Sequence, residues 1–237
     1  MPIDSNTAFS LSFHLPTGWP VGRCGKFRKG RKGVDRQTPK SSVVDRFDEI
    51  YRVTVALFLE RGYDNTPLSL IAQELGLSKA GLYHHFESKE QLLFQIHKYS
   101  IEATLIPVIE RAEGEPDPLK RLEQYIREFA EVMVHDPAIR VLIEESKRLS
   151  PENLKVIHAA WRRGFELMRS TIAELQASGM GKNNLNPTIA AFAAIGMCSS
   201  TPYWFSHEGS EMISDVGKHF AEIFCQGALN DPLADKD

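Results

Sequence analysis

From residue 45 onward, apolar side chains recur at three- and four-residue steps, the spacing of helices that bury one face. Phe47, Ile50, Tyr51, Thr54, Leu57 and Phe58 trace the first such face. Arg61-Gly62 closes it, with a glycine free to take the left-handed turn past a helix end. Thr66-Pro67 restarts a helix, threonine as cap and proline in the first turn, with Leu68, Ile71, Ala72 and Leu75 on its buried side. After Gly76, Ser78 caps a short third helix over Lys79–His85. Ser88-Lys89-Glu90-Gln91 reads as a capping box. It opens a long fourth helix through Leu92, Leu93, Ile96 and Tyr99, which Pro107 kinks or stops.

The same punctuation runs to the end of the chain. Asp117-Pro118, Asp136-Pro137, Ser150-Pro151 and Asn186-Pro187 each place a capping side chain before a first-turn proline, and Ser210 caps a last helix to about Leu229. Gly179-Met180-Gly181 and Asn183-Asn184 form a loop. No segment alternates as a strand would, so the expected fold is all-α with about nine helices. Residues 1–40 show no period and repeat Gly, Pro and Ser, which predicts a disordered arm.

Charge sharpens that division. The net charge is −3, but residues 1–40 carry eight basic and two acidic residues, +6, and residues 41–90 carry five basic and eight acidic, −3. A basic head on an acidic body points to a polyanion at the N-terminal end. An acidic helical head is an odd DNA binder, because phosphate contacts dominate affinity. Local cations (Arg46, Lys79, Lys89) with helix N-termini could answer this, or the arm could lie in a neighbouring minor groove.

Two short helices across a glycine turn, Leu68–Phe86, make a helix-turn-helix. Lys79, Ala80, Gly81, Tyr83 and His84 form the free face of its second helix. Gly81 costs about 1 kcal/mol against alanine in a helix, which makes sense where the helix presses on another surface. The assembled run is Gly62-Tyr63, Thr66, Ile71-Ala72, Leu75-Gly76-Leu77-Ser78-Lys79, Gly81-Leu82-Tyr83-His84-His85-Phe86, Ser88-Lys89-Glu90 and Leu92-Leu93. It resembles the DNA-binding domain of the TetR/AcrR family of regulators over about residues 45–95. The resemblance implies a TetR-like architecture: a three-helix head on a larger helical ligand-binding and dimerisation domain. It makes the helix from Lys79 the recognition helix, Tyr83 and His84 phosphate contacts, Lys89 a backbone contact and Phe86 a core residue. Pro67 and Leu70 depart from the family, which has a small polar or hydroxyl residue at the first position and a charged one at the second. The expected divisions are an arm (1–40), a DNA-binding domain (41–95) and a ligand-binding and dimerisation domain (96–237). The expected DNA-contacting set is Arg46, Thr66, Ser78, Lys79, Ala80, Gly81, Tyr83, His84 and Lys89.

The second half carries no strong motif. Aromatic and methionine residues with nearby arginines suit a greasy ligand with an anionic head. The expected ligand set is Phe129, Met133, Arg140, Trp161, Arg162, Phe165, Met168 and Trp204. Residues Ile143 to Glu152, with Trp204, are similar to TetR-type regulators of fatty-acid, aromatic or steroid catabolism, several of which respond to acyl-CoA thioesters. The alternative is that the arginines pair with Glu144, Glu145 and Glu166. Ala190, Ala191, Ala193, Ala194 and Gly196, with Met212, Val216, Phe220, Ile223 and Phe224, are expected to form a homodimer face. A two-fold dimer reads a palindromic operator.

Other classes find less support. Nucleophile-elbow, phosphate-loop and zinc-protease motifs are missing, which argues against an enzyme. Adjacent histidines on a helix point about 100° apart, so His84-His85 is no metal pair, and no cofactor is expected. The three cysteines have neither disulfide nor zinc spacing, and no apolar run is long enough to cross a membrane, so a reduced cytoplasmic protein is expected. The reading is a ligand-released repressor. An activator and a chromosome-structural DNA-binding protein are the alternatives.

Overall fold

In the computed structural model the described residues are 43–136, 138–205 and 212–230. The expected arm, and the Ser210 cap, lie outside them. The helices are α1 (Val43–Arg61), α2 (Leu68–Glu74), α3 (Lys79–His85), α4 (Lys89–Ser100), α5 (Ile106–Glu113), α6 (Pro118–His135), α7 (Ala138–Glu145), α8 (Pro151–Ala177), α9 (Pro187–Trp204) and α10 (Ile213–Ala228). A single π turn, Ile101–Leu105, fuses α4 to α5, so the described residues form nine helical rods, as the all-α reading expects. None is long and apolar enough to cross a membrane.

Three of the proline-marked starts fold as caps. Asp117 accepts from Leu119 N and Lys120 N, Ser150 from Asn153 N, and Asn186 from Thr188 N and Ile189 N. Pro107 neither stops nor ends its helix. It lacks the N–H that would reach back four residues, and the wider π turn just before it accommodates the missing bond. The rod therefore runs unbroken from the head to Glu113. α7 ends at Glu145, and a 3-10 turn, Ser146–Arg148, leads into α8.

The core centres on α6, whose Leu122, Tyr125, Ile126, Phe129, Ala130 and Met133 are buried against α5, α8, α9 and α10. α10 packs backbone to backbone on it: a Cβ at Gly217 would stand 2.8 Å from the Arg127 carbonyl oxygen, so only glycine allows that approach.

One buried group sets a pH limit. His97 on α4 is 1% exposed and its Nε2 has no hydrogen-bond partner. Burial lowers its pKa to about 3. The folded-state value lies below that of the unfolded chain, so the stability it carries is complete above about pH 6.5 and is lost as pH falls toward 3. Between pH 7 and pH 5 the folded chain should lose roughly 2 kcal/mol through this residue. Urea midpoints at the two pH values check it: His97→Phe should flatten the drop, and an equal drop in both proteins would refute it.

Candidate nucleic-acid interface

α2 and α3 are held by the turn between them. Gly76 sits at φ +64; its N–H reaches Gln73 O (3.1 Å) and Leu77 N–H reaches Ala72 O (2.8 Å), a Schellman closure of α2. Ser78 then caps α3, its Oγ accepting from Gly81 N at 3.0 Å. Ile71, Ala72 and Leu82 are buried between the helices, and Phe86 packs against Phe47 at 6.4 Å. What α3 turns outward is Lys79, Ala80, Tyr83, His84 and His85. Tyr83 is 43% exposed, a large aromatic left open to solvent. Lys79 Nζ lies 5.6 Å from its ring centroid. A Cβ at Gly81 would meet Ser78 Oγ at 3.2 Å, so the tight cap is a second reason for glycine there.

α4 starts beside this face. Ser88 accepts from Gln91 N (3.0 Å), while the Gln91 side chain reaches one residue further back than a capping box requires, to Glu87 N (2.6 Å). Lys89 Nζ donates to Tyr63 O (2.8 Å) and stands 4.2 Å over the Tyr63 ring. Burial lowers its pKa, with Asp64 opposing and Arg148 adding to the shift. Ser78, Lys79, Ala80, Gly81, Tyr83 and His84 thus share the short α3 and its cap, whereas the Lys89 side chain is held on the α1–α2 turn by Tyr63. Arg46 belongs to α1, and its side chain lies outside the described residues.

Thr66 is a correction. It neither caps α2 nor offers its hydroxyl outward: Pro67 holds the cap position without a side-chain bond, and the fully buried Thr66 Oγ1 donates to Gly62 O (2.8 Å) and Leu57 O (3.4 Å). It locks the α1–α2 turn from inside.

The expected ligand residues divide. Phe129 stacks on Tyr125 (5.6 Å) and meets Trp161 edge-on (6.0 Å), and Phe165 packs on Phe192 (4.6 Å); Met133 and Met168 are buried among the same helices. Arg140 pairs with Glu144 (3.1 Å) and Arg162 is exposed. Trp204 lies apart, at the exposed end of α9 against Phe220 (6.2 Å). None of these eight lines the open cleft of about 560 Å3 between α1, the α4–α5 rod and α6, whose walls include Tyr51, Tyr99, Thr104, Arg127, His135 and Asp136.

At the floor of that cleft is a group the sequence did not single out beyond its capping role. Asp136 accepts from Tyr51 Oη on α1 (2.6 Å), from Ser100 Oγ at the π turn, and from Ala138 N at the start of α7 (2.9 Å). One carboxylate joins α1, the α4–α5 rod and the start of α7.

The family described as "Bacterial regulatory proteins, tetR family" matches residues 50–96, and "Tetracyclin repressor-like, C-terminal domain" matches residues 115–228. The chain belongs to the TetR family. It is a DNA-binding transcriptional regulator of helix-turn-helix type. The transcriptional repressor KstR2 of Mycolicibacterium smegmatis is 24% identical over 192 residues, 79% of this chain and 92% of that protein. The transcriptional activator FasR of the same species is 22% identical over 185 residues, covering 76% and 83%. AibR, solved with isovaleryl coenzyme A and operator DNA, superposes with a TM-score of 0.69 at 25% identity, covering 75% of this chain and 97% of AibR.

Proposed function

We propose that this TetR-family chain is a homodimeric repressor that binds a palindromic operator and is released by a small hydrophobic effector of the acyl-CoA class. The exposed α3 face carries the reading: Lys79, Tyr83 and His84 stand free beside the Ser88-Lys89 start of α4. Base edges are read by such a face in the major groove, and phosphates are held by hydroxyl, lysine and helix N-terminus. A single α3 reads one half-site, so two copies related by a two-fold axis read a palindrome with half-site centres about 34–36 Å apart, or a multiple of it.

α9 supports the dimer. It contains no charged residue, yet Ile189 is 68% exposed, and Ala193 and Gly196 also lie on its outer side. On α10, Ile223 is 59% exposed. An apolar face left open on two adjoining helices calls for a second copy. Ala190, Ala191, Ala194, Val216 and Phe224, expected on this face, are instead buried in the protomer's own core.

The acyl-CoA class is favoured by AibR's isovaleryl-CoA complex. The cleft beside the rod adds to it, with Arg127 and His135 close to Val108 and Val132, polar and apolar walls together. A ligand there bears on the π turn and on Asp136, and so shifts the heads if it prefers the state that does not bind DNA.

The test is recovery of genomic fragments on the purified protein, followed by release with a panel of acyl-CoA thioesters and aromatic acids. One or a few palindromes, released by a thioester, support the repressor. Hundreds of scattered sites without release would replace it with a chromosome-structural protein. FasR's activator role makes operator position relative to the promoter the second observation to record.

A further inference from the structure

The last turn before α8 carries Arg148 into the head. Its Nη2 lies 2.5 Å from Asp64 Oδ2 in the α1–α2 turn, and its Nε lies 3.4 Å from Glu145. Its guanidinium stands 5.8 Å from the centroid of the same Tyr63 ring that Lys89 covers at 4.2 Å. Lys89 senses it: the nearby guanidinium helps depress the lysine pKa. The position is fixed by more than the ion pair. Glu90, in the first turn of α4, accepts from Ser150 N (2.9 Å) and Asn153 Nδ2 (3.0 Å), so the α7–α8 connection is fastened onto the start of α4.

Resting on the DNA-binding reading above, we infer that Arg148 is a second DNA-backbone contact beside Lys89, supplied by the effector half and not by the helix-turn-helix. Residues 41–90 carry a net −3, so the head is short of cations where phosphates must be met. The Arg148 and Asp64 side chains are 39% and 64% exposed, and so open an ion pair exchanges easily. A phosphodiester offers the guanidinium the bidentate, charge-assisted partner it prefers. On DNA, a phosphate takes the place of Asp64 on Arg148. Effector binding that shifts the α7–α8 connection then withdraws a DNA contact directly, without first turning α3.

The salt dependence of binding separates this from a structural link between head and body. Each phosphate contact contributes about 0.9 to the slope of log affinity against log salt on duplex DNA. Wild type, Arg148→Ala and Asp64→Asn are titrated as full-length protein on a recovered fragment and on non-specific duplex, from 50 to about 300 mM salt. Arg148→Ala should lower the slope by about 0.9 per half-site, with roughly tenfold weaker binding near physiological salt. Asp64→Asn should bind more tightly, because it removes the competing carboxylate. An Arg148→Ala protein with intact helical circular dichroism and an unchanged slope would overturn the assignment, whatever its affinity. So would weaker binding by Asp64→Asn, which marks the pair as a latch. If the wild type binds no duplex at all, the DNA reading itself falls, and Arg148 with it.

Discussion

Asp136→Ala should lower the stability of the folded chain by roughly 3 kcal/mol or more, at about 1–3 kcal/mol for each buried donor left without its acceptor. The carboxylate is 9% exposed and is the common acceptor for donors from three segments distant in sequence. Without it Tyr51 Oη, Ser100 Oγ and the Ala138 N–H lose their common acceptor at the floor of the cleft, and α7 loses its cap. The Tyr51 hydroxyl is well matched to this role. Burial first, and then Asp136, push its pKa far above the ordinary tyrosine value, so it remains a donor throughout the physiological range. Asp136→Asn keeps an acceptor for Tyr51 and Ala138 and should cost about 1 kcal/mol, as should Tyr51→Phe. Urea unfolding of the three variants reads the ordering. If alanine costs only about 1 kcal/mol more than asparagine, Asp136 is a helix cap and nothing else. Should the ordering hold, Asp136→Asn also becomes the probe of coupling: it keeps the fold while loosening the tie between α1 and the rod, so effector should release DNA less completely.

The helix-turn-helix was legible because its constraints are local. A positive-φ glycine at 76, a cap at Ser78 and apolar steps at Ile71, Ala72 and Leu82 leave α3 one face to present, and that face is the exposed one. Thr66 was misread for a related reason. Next to a proline, threonine reads as a cap, and only the folded α1–α2 turn reveals that its hydroxyl points at Leu57 O and Gly62 O. Asp136 shows the limit more sharply. Its helix-opening role could be read from Asp-Pro, but Tyr51 is 85 residues away, and periodicity says which face of α1 is buried without saying what it meets. The aromatic set does not line the cleft beside the rod, and the same rings that could line a cavity also fill one: Phe129 packs against Tyr125 and against Trp161. The alternative weighed for the arginines describes Arg140 on Glu144 and Arg148 on Glu145, whereas Glu166 pairs with Arg169 instead and Arg163 with Glu113.

α9 poses a different problem, and its answer leads to the second large effect. A helix without charges has two apolar faces, and pattern alone cannot divide core from interface. Burial divides them: Ala190, Ala191, Ala194 and Cys198 turn inward, while Ile189 and Ala193 turn outward, as does Ile223 on α10. Ile223→Glu should therefore leave the protomer folded and make it monomeric. In a two-fold interface each substitution enters twice, so the two introduced carboxylates face one symmetric patch and both lose water. Several kcal/mol against association is a loss of about a thousandfold or more in dimer affinity. Operator binding should fall by at least about a hundredfold at nanomolar protein, because each head then holds a half-site alone. Val156→Glu is the control: Val156 is also an exposed apolar residue, at 51%, but it belongs to the second turn of α8 and not to α9 or α10, and the variant should stay dimeric. Sedimentation equilibrium with operator titration on both variants reads the result. If Ile223→Glu remains a dimer at micromolar concentration with full operator affinity, α9 and α10 do not form the dimer face and their exposed apolar stripe must be covered by something else. If Ile223→Glu is monomeric yet still binds at full strength, one head suffices, and the palindromic reading goes with it.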